Sequence, residues 1–210
     1  MRITATVFLI LSLIPAVSVS AGGSSEDPQR TPPSTETTDA TTAGFDDEAR
    51  AEIQEILSGF GIQTFRGKID AVDFGLPRLS GGETTLSDLQ GQFVFLNFWA
   101  TWCPPCREEM PSMETLYTAL DDAPFEMIAV NVREDRDTVQ GFIDEFGYSY
   151  PVLLDGDGSV STNYGVRGIP TTFFIGPDGT VLGMLVGTRY WDEDDVMDGM
   201  RRIVEIVAER

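Results

Sequence analysis

The sequence predicts an α/β fold, a central mixed β-sheet with helices on its faces. Three observations point there. Phe93–Trp99 and Phe125–Val132 are nearly unbroken apolar runs, the pattern of strands buried on both faces in a parallel sheet. Segments around them carry apolar residues at helical spacing, one buried face each. Later, Thr171–Ile175 and Val181–Val186 flank Pro177-Asp178-Gly179, a hairpin turn, before a final helical stretch. Strand–helix–strand followed by strand–strand–helix closes a sheet of mixed direction between helical layers.

Taken in order, residues 1–21 read as an export signal. Arg2 supplies the positive start, and Val7–Val19 is apolar apart from Ser12, Pro15 and Ser18. Val19-Ser20-Ala21 is a small-residue cleavage signal. The run falls short of the roughly 20 apolar residues of a membrane span, which favours cleavage over a retained N-terminal anchor. Residues 22–44 are rich in Gly, Ser, Thr, Pro and Glu. They hold nothing to fill a core and read as a flexible linker. A single domain is expected over residues 45–210.

Within the domain, Asp46–Phe60 places Ala49, Ile53, Ile56, Leu57 and Phe60 on one helical face. Gly81-Gly82 joins Phe74–Leu79 to Glu83–Leu86 as a hairpin, and Ser87 is the expected cap of one helical turn before Gly91. A helix is expected from about Pro104 to Leu120, kinked by Pro111. Asp137 is the expected cap of a helix whose face is Val139, Phe142, Ile143 and Phe146. Tyr150–Leu154 reads as a short strand. Asp155-Gly156-Asp157-Gly158 follows as a turn, because no glutamate closes it at the calcium-loop position. The last helix is expected to open near Asp192 and to bury Val196, Met200, Ile203, Val204 and Val207. Its first turn is acidic, which suits the helix dipole.

Composition removes several classes of chemistry. With 14 basic and 34 acidic residues, the chain has a formal charge of −20. A nucleic-acid partner needs a basic face, and an anionic membrane surface is equally repelled. Without any histidine, His-activated nucleophiles, His metal sites and His haem ligands are excluded. Two cysteines remain, Cys103 and Cys106, between the first apolar run and the helix that follows it. A structural zinc would need two further Cys or His ligands. A c-type haem would need histidine where Arg107 stands. A bridge spanning two residues closes too small a loop to stabilise much.

Redox chemistry is what this spacing serves. Cys103 is expected at a helix N-terminus, where the dipole and free N–H groups favour the thiolate. Cys106 follows one turn later, within disulfide reach. Cys103 would attack a partner disulfide, and Cys106 would resolve the mixed disulfide. Pro104 and Pro105 cannot donate an N–H to the thiolate. A moderately lowered Cys103 pKa is therefore expected, nearer about 7 than about 3.5, and with it a reductant rather than a strong oxidant.

The stretch FLNFWATWCPPCREEMP resembles the active-site signature of the thioredoxin superfamily, and specifically of the TlpA/ResA-like exported thiol–disulfide oxidoreductases. DFGLPRLSGGETTLSDLQGQ is similar to that group's N-terminal hairpin. FIDEFGYSYPVLLD is similar to its central helix and strand insertion, and YGVRGIPTTFFIGPDGTV to its cis-proline loop and following hairpin. The similarity runs from about Lys68 to Val186. It implies a thioredoxin-like fold with an N-terminal hairpin and a central strand/helix insertion. It also implies that Pro170 is a cis-proline packed beside the cysteines, exposing the Ile169 backbone to an extended substrate.

Glu109 matches the acidic residue this group keeps near its dithiol. Three residues after Cys106, it shares that cysteine's helical face. A partly buried site should raise its pKa and suit it to move a proton for Cys106. Asn97 stands where cytoplasmic thioredoxins carry a buried aspartate, which leaves the proton role to Glu109. Trp102 is expected to shield the dithiol and form part of the docking surface, while Trp99 belongs to the core. Glu108 faces solvent. Arg107 is read as a surface residue, with electrostatic help to the thiolate as the alternative.

The resemblance implies an exported protein-disulfide reductase. Its partners would be envelope proteins, apocytochrome c among them, and a membrane thiol donor. Electrons arriving by disulfide exchange require no bound cofactor and no metal, and a monomer is expected. Two other readings are a thiol peroxidase of the peroxiredoxin type and a non-catalytic assembly factor. The first lacks that family's threonine three positions before the cysteine, where Ala100 stands.

Overall fold

The computed structural model of the 210-residue chain describes residues 45–121 and 123–209. The expected export signal (1–21) and linker (22–44) lie outside the described residues. Among those described, no helix is long and apolar enough to cross a membrane.

Helix α1 spans Asp47–Gly59, capped by Asp46, whose carboxylate accepts the Ala49 N–H. Strands β1 (Gln63–Thr64), β2 (Gly75–Pro77) and β3 (Glu83–Thr85) lead to a 3-10 turn at Leu86–Leu89. Then follow β4 (Phe93–Trp99), α2 (Pro104–Ala119), β5 (Phe125–Val132), α3 (Arg136–Phe146) and β6 (Val152–Asp155). Helix α4 (Ser159–Asn163), β7 (Thr171–Ile175), β8 (Val181–Val186) and α5 (Asp194–Ala208) complete the fold.

Six strands form one sheet in the order β1-β8-β7-β4-β5-β6, and β2 and β3 form the separate hairpin. Strand β4 pairs parallel with β5, and β5 with β6; β7 runs antiparallel to both β4 and β8. This is the central mixed sheet expected from the sequence. All seven residues of β4 are buried, because alternate side chains point to opposite faces and each face has its own core. Phe93, Phe95 and Trp99 pack with α1, α2 and α5. Val94, Leu96 and Phe98 pack with Leu76, Leu86 and Val160 on the other face. Trp191 fills the first core at 4.8 Å, edge-on, from Phe95.

Local chemistry overturns both expected caps. Asp135, not Asp137, caps α3 by accepting the Thr138 N–H; Asp137 sits in the first turn. Ser87 lies inside its 3-10 turn and caps nothing. Its own N–H is taken by Asp73, fourteen residues earlier. The Asp-rich loop is also more than a turn. Asp155 ends β6 fully buried, and its carboxylate accepts the N–H groups of Val160 and Ser161, which start the unforeseen α4. Helix α5 opens at Asp194, two residues later than expected.

Helices α1 and α5 approach closely over Gly199. A Cβ there would lie 2.1 Å from Phe60 Cζ and 3.0 Å from Ile56 Cγ2. Alanine is the better helix former by about 1 kcal/mol, but overpacking a filled core costs about 1–3 kcal/mol. Gly199→Ala is therefore expected to lower the denaturant midpoint. A raised midpoint would mean the two helices separate freely.

Candidate functional site

The parallel β4–β5 ladder ends at Trp99 opposite Asn131, and the chain leaves β4 there to enter α2. Cys103 is the N-cap of α2, in an extended conformation that ends the turn before the helix. Cys103 and Cys106 are joined as a disulfide, with Cα atoms 5.3 Å apart. Pro104 and Pro105 hold the first two helical positions, which leaves the Cys106 N–H, 3.3 Å from Cys103 Sγ, as the donor aimed at the sulfur. Only 2% of Cys103 is accessible and Cys106 is fully enclosed. In the disulfide form, Cys103 Sγ is bonded to Cys106 and packed against a neighbouring loop.

That loop is the one carrying Pro170. The Ile169–Pro170 bond is cis, and the Ile169 carbonyl oxygen lies 3.7 Å from Cys103 Sγ. Pro170 is buried and its carbonyl accepts the Gly187 N–H. Trp102, next to Cys103 in the chain, is 67% exposed. Arg107 stacks over the rings of Phe142 and Phe146, at 5.6 and 5.7 Å, a surface placement.

Glu109 lies one turn behind the disulfide with no accessible surface. Its Oε1 accepts from Asn97 Nδ2 at 2.9 Å and its Oε2 from the Arg189 N–H at 3.2 Å. Burial pushes its pKa up from 4.5 to about 7, and these donors together with the Trp191 indole only partly offset the loss of hydration. Asn97 donates its other amide hydrogen to Thr172 Oγ1 and leaves its buried Oδ1 without a partner. The asparagine that the sequence treated as a departure thus touches the glutamate directly.

Two contributions escaped the sequence reading. The segment from Gly187 to Trp191 runs along α2. Thr188 Oγ1 donates to the Pro105 carbonyl, Arg189 to Glu109, and the Trp191 N–H to Ser112 Oγ. The second is Glu134, just past β5. Its carboxylate accepts the Thr101 N–H at 2.7 Å, the Thr101 hydroxyl at 2.5 Å and Asn131 Nδ2 at 2.7 Å. It thereby ties down the loop that carries Trp102 and Cys103. The Glu and Asn types next to a strand end were the available signal, but their partner lies 33 residues away.

Charge-assisted hydrogen bonds contribute about 1.5–3 kcal/mol each when a partner is lost. Glu134→Ala should therefore destabilise the fold by about 2 kcal/mol and slow thiol exchange. Glu134→Gln can still accept the N–H and donate to the hydroxyl, so it should recover most of both. Equal exchange rates in the two variants would show that the loop needs no anchor.

Among the described residues, no cluster of three or more His, Cys, Asp or Glu side chains could hold a metal. The site is a dithiol, a buried carboxyl and a backbone edge, an arrangement able to exchange disulfides and move one proton.

Residues 69–184 match the AhpC/TSA family. The thiol-disulfide oxidoreductase ResA of Bacillus subtilis (strain 168) is 44% identical over 119 residues, covering 57% of this chain and 66% of that protein. The ResA of Geobacillus thermodenitrificans (strain NG80-2) is 44% identical over 118 residues, covering 56% and 68%. The match thus spans slightly under two thirds of the Bacillus relative and slightly over two thirds of the Geobacillus one. Among solved structures, a thiol:disulfide interchange protein of the thioredoxin family from Chlorobium tepidum TLS superposes with a TM-score of 0.57 at 29% identity. It covers 68% of this chain and 98% of that one.

Proposed function

This chain belongs to the AhpC/TSA family, in its TlpA/ResA-like branch, and from that premise we propose that it is an exported thiol–disulfide oxidoreductase that reduces disulfides of envelope proteins. The observation that carries the reading is the Cys103–Cys106 disulfide at the head of α2, with the cis Ile169–Pro170 bond beside it and buried Glu109 behind it. Relatives named as thiol-disulfide oxidoreductases support the reaction class. The export-signal pattern of residues 1–21 supports the compartment.

In the reduced protein, the Cys103 thiolate attacks one sulfur of a partner disulfide. A Cys103–partner bond forms, the partner's own S–S bond breaks, and its other cysteine leaves as a thiolate. Cys106 then gives its proton to the Glu109 carboxylate and attacks Cys103 Sγ. The intramolecular disulfide closes and the second partner cysteine leaves as a thiolate. Two electrons have passed to the partner, whose thiolates take up protons, one of them returned through Glu109. A membrane thiol donor would reduce the disulfide again by the same exchange, with apocytochrome c among the candidate partners. Trp102, Ile169 and Pro170 form the docking edge around Cys103.

Alkylation trapping in cells tests the direction. The two cysteines are expected mainly reduced. A mainly oxidised pool, or a potential near the roughly −120 mV of a strong oxidase, would make the protein an oxidase instead.

A further inference from the structure

A cleft of about 250 Å³ opens beside the dithiol, lined by Trp102 and Ile169, the two residues that flank Cys103. Val132, Val166, Arg133 and Arg167 line it as well. In a chain with 14 basic and 34 acidic residues, two arginines at one cleft reverse the prevailing sign locally.

Both arginines are exposed, and neither has an ion-pair partner among the described residues. The Arg133 guanidinium makes one long contact, 3.5 Å from Nη2 to Thr162 Oγ1. The carboxylates of the adjoining loops are turned to other donors. Glu134 bonds Thr101 and Asn131, Asp135 bonds Thr138, Asp155 bonds Val160 and Ser161, and Asp157 bonds the Ser159 N–H.

Arg133 is also held in place. Its φ is 60°, the left-handed region that non-glycine residues seldom occupy. Its stem lies across Gly158, where a Cβ would come within 2.1 Å of Arg133 Nε. A backbone strained at one residue and a glycine cleared beneath it fix a cation at a cleft that supplies it no anion. Strain of this kind collects where a side chain must be aimed.

We propose that this cleft receives an acidic side chain of the partner polypeptide, next to the disulfide being reduced; the proposal rests on the thiol–disulfide reading above. A partner segment extended along Ile169 places residues two positions apart on the same side, about 7 Å apart. A Glu or Asp two residues from the partner's cysteine thus reaches Arg133 and Arg167 while its sulfur sits at Cys103. The chain's net negative charge opposes acidic partners at long range. At 0.15 M salt that field is screened beyond about 8 Å, so the two nearby guanidiniums decide the preference.

The test uses the reduced protein and three disulfide-linked peptide dimers. They differ only in the residues two before and two after the cysteine, which are Glu, Gln or Lys. Second-order exchange rates are measured at 0.15 M salt. The Glu peptide is expected to react about five- to tenfold faster than the Lys peptide, as two rim charge pairs allow. In Arg133→Gln/Arg167→Gln that ratio should fall to about 1, and Arg167→Gln alone should give an intermediate ratio even if the double variant folds poorly. A wild-type ratio of 1 or below, or a ratio that persists without the arginines, overturns the proposal. Failure to reduce the Gln peptide at all would instead overturn the thiol–disulfide reading beneath it.

Discussion

Cys106→Ser is expected to convert a turnover enzyme into a trap that stays covalently joined to its partners. In the wild-type protein the second thiol stands in the same helical turn as Cys103, with Cα atoms 5.3 Å apart. Resolution of the mixed disulfide is therefore intramolecular, and well-oriented intramolecular attack carries effective molarities on the order of 10⁵ M or more. Without Cys106 the mixed disulfide waits for an external thiol. Denatured under non-reducing conditions, the variant should carry a partner adduct that disappears on reduction. Cys103→Ser should carry none and show only background exchange, because Cys106 lies inside the first turn of α2 with no accessible surface, whereas Cys103 caps the helix at its loop end. Adducts on the Cys103→Ser protein, or their absence from Cys106→Ser, would reverse or remove the assigned roles.

The second large effect is on pH dependence, through Glu109. Its carboxyl titrates at about 7 in the folded protein against 4.5 ordinarily. A raised carboxyl pKa means that folding favours the protonated form. The associated stability is fully present below about pH 4.5 and is lost as pH rises through about 7. A shift of this size corresponds to about 3 kcal/mol. Wild-type stability from urea titrations should fall by about that amount between pH 4.5 and pH 8, while Glu109→Gln should stay level over the same window apart from other groups.

The glutamine can be accommodated. A flip of the Asn97 amide turns Oδ1 to accept from the new carboxamide and from the Thr172 hydroxyl, while the carboxamide oxygen keeps the Arg189 N–H; Nδ2 then takes the unpartnered position that Oδ1 holds now, a cost that does not vary with pH. Exchange kinetics should change in the same region. The wild-type rate should show an inflection near pH 7 that Glu109→Gln lacks. An identical inflection in the variant would return Glu109 to a structural role.

The parts that the sequence made legible are those encoded locally. The unbroken run Phe93–Trp99 announces a strand with two buried faces, and the Cys-x-x-Cys after it announces a dithiol at a helix start. The turn between β7 and β8 is spelled out by Pro177-Asp178-Gly179. What could not be read depends on contacts distant in the chain. Strand β1 is two residues long and exists because Gln63 and Thr64 pair with Met184 and Gly183. No periodicity survives in two residues. Asp135 and Asp137 are equally good caps by residue type, and only the backbone at Asp135 decides between them. Glu134 and Arg189 join the site across 33 and 80 residues of sequence, from stretches whose composition looks like ordinary loop.

The ends of the central sheet bear on whether other chains can add themselves to this fold. A row of unpaired strand amides invites other chains to add themselves and aggregate. Here one outer strand, β1, offers two residues. The other, β6, has its free side taken by the hairpin, through the Leu79 N–H to Val152 carbonyl bond at 2.8 Å and the Arg78–Leu153 bridge. An extended segment of another chain finds almost no main-chain ladder to extend at either end, so strand addition is denied a foothold there.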